Sequence, residues 1–207
     1  MDYSNITAKK FKQMMDVIKE YDDITEMNYM LVSVLLDKED LTIEEFSQGV
    51  KDLEFLNKPY KPQKVKREYV IGDREYYVEL NPRKMQANQY IDYQNFIKDP
   101  NTNITNIAAC FLIPKGKTYG NGYDVLDETV YLDDNLTVDV LQDICFFFQK
   151  LYQELTLGTL HSLEREMKKT LKKEKDSLTR RKLMRGMIEC RKARKLLLQE
   201  SGDGFML

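Results

Sequence analysis

The chain has 207 residues, with 32 Lys or Arg against 34 Asp or Glu for a formal net charge of −2, one His, three Cys and no Trp. A chain of this length can bury a real core, and 22 Tyr and Phe residues exclude the aromatic-poor composition of a disordered protein. One His and three widely spaced Cys do not supply the ligands of a zinc site or a disulfide framework.

The N-terminus, MDYSNITAKK, lacks a basic start followed by an apolar run, so a secretory signal is not expected. The apolar runs Met30–Leu36, Ile107–Ile113 and Ile144–Phe148 are far shorter than the roughly 20 residues of a membrane-spanning helix. The expectation is a soluble protein of the cytoplasm with reduced thiols and no membrane partner.

Residues 1–57 form a helical N-terminal unit by their spacing. Phe11, Met14, Met15, Ile18 and Tyr21 recur at three- and four-residue steps, the apolar face of one helix. Asp22-Asp23 interrupts it, and a second helix is expected over 24–36. Thr42-Ile-Glu-Glu45 is a capping-box pattern opening a third, which uses Ile43, Phe46, Val50, Leu53 and Leu56. Residues 57–65, with Pro59 and Pro62, read as a linker.

A central unit is expected over 66–158. Two β-rich runs, Tyr69–Ile71 and Tyr76–Leu80, flank Gly72-Asp73, a hairpin signal. Helical spacing returns from Arg83 to about Lys98 and ends at Asp99-Pro100. An apolar helix or buried strand, the helix favoured, is expected over 105–112, then a Gly- and Lys-rich loop over 114–123, then a short irregular or helical segment. Residues 137–155 read as a central helix, apolar on more than one face, with Gly158 as its kink or end.

From Leu160 a single long basic helix is expected to run to about Gln199. Between His161 and Glu200 the chain holds 14 Lys or Arg against 6 Asp or Glu, so an acidic body carries a basic arm. Its apolar residues form a thin, interrupted stripe, the pattern of a helix that docks on a partner. SGDGFML follows as a flexible tail with an apolar tip. The fold class expected is therefore α+β, mainly helical, with a central β-hairpin packed with helices and a long C-terminal basic helix, residues 160–207 forming the third unit.

No catalytic constellation emerges. Gly116-Lys117-Thr118 resembles the end of a phosphate loop, but Phe111 stands where the pattern needs its first glycine. His161 has no neighbouring nucleophile turn, and the paired carboxylates Asp22-Asp23, Glu44-Glu45 and Asp133-Asp134 fit helix capping. No catalytic residue, metal site or cofactor is expected, and the chain reads as a binding protein, not an enzyme. The contact residues singled out are Lys172, Lys173, Arg180, Arg181, Arg185, Arg191 and Arg194, with Phe205, Met206 and Leu207 at the tip. A basic helix of this kind fits an acidic protein surface or nucleic acid. The tyrosines and cations of the hairpin (Tyr69, Tyr76, Tyr77, Lys66, Arg67, Arg74) allow base stacking as a second route to nucleic acid. Self-association is compatible with the same composition.

One block has a familiar order. The hairpin YVIGDREYYVEL is followed by RKMQANQYIDYQNFIKDP, then NITNIAACFLIPKGKTYGNGYD, then LTVDVLQDICFFFQKLYQEL. Over residues 69–155 this resembles tail-assembly-chaperone-like proteins of tailed bacteriophages. The resemblance implies a non-enzymatic role in virion assembly, in the host cytoplasm or on the virion, holding another phage structural protein such as a tape measure. It carries over no catalytic residue, and it covers neither the N-terminal helices nor the basic arm.

Overall fold

A computed structural model of the chain describes residues 2–200. They form a mainly helical α+β fold: α1 Ala8–Glu20, α2 Ile24–Leu36, α3 Ile43–Asp52, β1 Glu68–Ile71, β2 Arg74–Val78, α4 Ala87–Phe96, α5 Ile104–Ala109, β3 Leu112–Pro114, α6 Val125–Asn135, α7 Val138–Lys173 and α8 Ser177–Glu200. Two compact units are present, residues 1–145 and 146–207, and the division falls within α7. Among the described residues no helix is long and apolar enough to cross a membrane.

In the first unit the helix starts follow the side chains that cap them. Thr7 accepts from the Lys10 amide at the head of α1, and Asp23 accepts from Thr25 and Glu26 at the head of α2. At α3 the expected box is complete: the Glu45 amide donates to Thr42 Oγ1 at 3.2 Å and the Thr42 amide donates to Glu45 at 2.8 Å. The apolar faces of these helices meet in a core that includes Phe11, Met14, Leu31, Val32, Leu53 and Phe55. Gly49 lets α3 approach α2, because a Cβ there would stand 2.3 Å from Val32 Cγ1.

The expected hairpin forms with Tyr69 opposite Tyr76 and Ile71 opposite Arg74. The positive φ of the turn falls on Gly72, at 58°. Tyr131 of α6 holds that turn, donating to Ile71 O and accepting from the Asp73 amide, while the Arg74 guanidinium lies 3.6 Å above its ring. Tyr76 donates to the buried Glu128 carboxylate, which also accepts from Arg74 at 2.8 Å. The apolar segment after α4 is a helix only to Ala109. Its continuation, Leu112–Pro114, pairs antiparallel with β2 and makes a three-stranded sheet in the order β1-β2-β3.

Four expectations are corrected. Residues 57–65 are irregular, yet they are pinned: Tyr60 donates to Asp143 at 2.7 Å, the Gln63 amide donates to the same oxygen at 2.6 Å, and Val65 is buried. The Ala8 amide donates to Leu136 O and the Val138 amide to Ile6 O, tying the head of α1 to the α6–α7 junction, and residues 1–145 form one compact unit. Gly158 does not end α7, which continues to Lys173. The basic arm is not one helix: residues 174–176 break it, and α8 is a separate element.

Candidate interaction surface on a helical hairpin

The second unit is a helical hairpin made from α7 after Cys145 and from α8. Its turn, Glu174-Lys175-Asp176, contains no Gly or Pro. The break is made by side chains that satisfy helix ends. Asp176 accepts from the Thr179 amide at 2.6 Å and so caps α8, while Glu174 accepts from the Asp176 amide at 2.8 Å. Arg180 reaches back and donates to Leu171 O at 3.1 Å and Glu174 O at 2.9 Å, satisfying carbonyls at the end of α7.

The two helices are joined by a buried carboxylate. Glu164 of α7 accepts from Arg191 Nε at 2.9 Å, pairs with Lys168 at 2.9 Å and with Arg194 at 3.6 Å. Hydrogen bonds from Lys168 and Arg191 pull its carboxyl down to about 2. Farther toward the turn Gly186 faces Met167, and a Cβ at Gly186 would come within 2.9 Å of the sulfur. Leu160, Met167 and Leu171 of α7, with Leu183, Met187 and Ala193 of α8, are half-buried.

This packing sorts the cations. Arg191 and Arg194 are committed to Glu164, and Arg180 is committed to the turn carbonyls. Lys169 pairs with Glu166 and Lys192 with Glu189. Nine further cations enter no ion pair among the described residues: Lys150, Arg165 and Lys195 lie away from the turn, whereas Lys172, Lys173, Lys175, Arg181, Lys182 and Arg185 gather near it, all six exposed. These six lie in the 14 residues around the turn, so the hairpin tip concentrates uncompensated positive charge. Exposed Leu178, Met184 and Ile188 stand among them.

Of the expected contact residues, Lys172, Lys173, Arg181 and Arg185 therefore fall together at the tip, whereas Arg180, Arg191 and Arg194 hold the hairpin together. Phe205, Met206 and Leu207 lie outside the described residues. Sequence reading did not find Glu164, an acidic residue inside a basic run; its single signal is the spacing to Lys168 at i,i+4. Lys175, Lys182, Met184 and Ile188 were also not singled out as contacts, because one long helix spreads them over its circumference.

Other chemistry weighed from the sequence has structural partners. The Gly- and Lys-rich loop is anchored by buried Tyr119, which donates to Asp92 at 2.8 Å, and by buried Tyr123, which donates to Ala109 O. Cys110 and Cys145 are buried, and burial pushes the Cys110 thiol up to about 12, far from a thiolate at neutral pH. His161 is exposed on α7. Among the described residues no group of three or more His, Cys, Asp or Glu could hold a metal ion. In the hairpin of the first unit Tyr76 is buried and Tyr77 is exposed, so the tyrosines do not share one stacking face.

No protein-family model, curated protein or solved structure matches this chain.

Proposed function

We propose that this chain is a non-enzymatic binding protein whose contact surface is the cationic tip of its helical hairpin, acting in bacteriophage assembly by holding another virion protein. The observation that carries the reading is the division of labour among the cations. Three of the arginines build the hairpin, and six exposed Lys and Arg at its end enter no ion pair among the described residues. Unpaired surface charge steers association and selects partners of opposite sign. Exposed Met184 and Ile188 beside Arg181 and Arg185 add apolar anchors, which suit a protein surface better than a sugar-phosphate backbone. The bacteriophage setting rests on the resemblance of residues 69–155 to tail-assembly-chaperone-like proteins.

The test is co-expression with the products of the neighbouring reading frames and purification through this chain. A stoichiometric complex with a structural protein is expected, lost when Lys172, Lys173, Arg181 and Arg185 are all replaced by Glu. Equal recovery by that variant contradicts the assignment of the surface.

A second reading, nucleic acid held through phosphates, is favoured by the same cluster of unpaired cations. If the six tip cations contact B-DNA phosphates, log K falls against log salt with a slope of about −0.9 per phosphate neutralised. An absence of DNA binding at low salt removes this reading and leaves the first in place.

A further inference from the structure

We infer that the cationic face of the hairpin docks on the acidic α2–α3 surface of a second copy of this chain. The two units carry opposite charge. Residues 1–145 hold 26 Asp or Glu against 17 Lys or Arg, and residues 146–207 hold 15 Lys or Arg against 8 Asp or Glu. Each copy thus supplies both halves of a complementary pair, at equal concentration.

The complementarity has local form on each side. On α8, Met184 and Ile188 are exposed one helical turn apart, on one side of the helix. Arg181 and Arg185 flank them and enter no ion pair among the described residues. On the first unit, an open groove of about 840 Å³ is lined by Leu36, Ile43, Glu44, Glu45, Lys51 and Asp52, among others, three carboxylates against one cation. Ile43 is 89% exposed and Leu36 42% exposed, so the groove offers apolar anchors of its own. Glu44 and Asp52 enter no ion pair among the described residues, nor do Glu39, Asp40 and Glu54 in the adjoining segments; Lys38 is taken by Glu45, and Lys51 offsets one of these charges, so carboxylates stay in excess. Apolar anchors ringed by cations therefore meet apolar anchors among which carboxylates outnumber cations. Burying Met184 and Ile188 against Leu36 and Ile43 removes apolar surface from water, and the surrounding charges set the orientation.

The contact is heterologous, because the face used on one copy differs from the face used on the next. Each added copy leaves one hairpin and one groove open, so association proceeds past a dimer unless a ring closes. This goes beyond the reading above, and it is measured on the purified chain alone. Its failure therefore leaves the capture of another protein untouched.

Sedimentation velocity of the full chain tests it, at about 50 mM and about 500 mM salt, where the screening length differs several-fold. The expected result is a weight-average mass that rises with protein concentration at low salt and returns to that of one chain at high salt. The pair Arg181→Glu and Arg185→Glu abolishes the rise, as does the pair Glu44→Lys and Asp52→Lys. Combining both pairs in one chain restores it, which a merely damaged fold does not do. A single-chain mass at low salt over the whole concentration range overturns the inference, as does a rise that neither pair alters. A chain that stays single while binding a DNA duplex assigns the face to nucleic acid and overturns it too.

Discussion

Arg191 of α8 donates through Nε to the buried carboxylate of Glu164 on α7, 2.9 Å away, and this one bond decides what the basic arm is. The turn contacts of Asp176 and Arg180 reverse the chain, and this bond ties the two helices together beyond the turn. Lys168 and Arg194 share the same carboxylate, so Arg191 and Arg194 are spent on holding α8 to α7, while six exposed cations near the turn enter no ion pair among the described residues.

Glu164→Gln should loosen the hairpin more than any other single change at an acidic residue in the second unit. It leaves Arg191 and Lys168 facing a neutral amide. The measurement is hydrogen exchange across α8, expected to accelerate while the first unit keeps its protection.

The pH dependence follows from the same residue. The Glu164 carboxyl is lowered from 4.5 to about 2 in the folded chain. Its contribution is therefore fully present above the unfolded value and is lost as pH falls from about 4.5 through about 2. A carboxyl titration by NMR should show Glu164 protonating near 2, and the Gln variant should lose less stability than the native chain over that window.

Arg181→Ala and Arg191→Ala should part company, although sequence places them on one arm. Arg181 is exposed and enters no ion pair among the described residues, so its loss should change stability by no more than about 0.5 kcal/mol. Arg191→Ala should lower the denaturation midpoint measurably. Equal effects in urea unfolding would contradict the sorting of the cations.

Gly186→Val places side-chain carbon against the Met167 sulfur, 2.9 Å from the first added atom. The expected cost is about 1–3 kcal/mol, and adding Met167→Ala should recover part of it. A double-mutant cycle in urea reads the coupling between the helices directly.

Much of the fold was legible because local chemistry and tertiary packing agree. The Thr42–Glu45 box, the Gly72-Asp73 turn and the apolar spacing of α1 each point to the element that forms. The features that were not legible depend on partners distant in sequence. β3 is three residues whose apolar character fits helix equally well until β2 is beside it. The segment at 57–65 reads as a linker because its anchor, Asp143, lies 80 residues beyond Gln63. The turn at 174–176 has no Gly or Pro, and its stop signal is an arginine that reaches back to carbonyls six and nine residues away. The basic tip was therefore visible as charge, but which cations are free was not, since that depends on Glu164.

The most direct test of the hairpin tip as the contact surface is hydrogen exchange on the complex recovered by co-expression, compared with the chain alone. Slowed exchange concentrated in residues 172–188 is the predicted result. Protection elsewhere in the chain with unchanged exchange across 172–188 would contradict it.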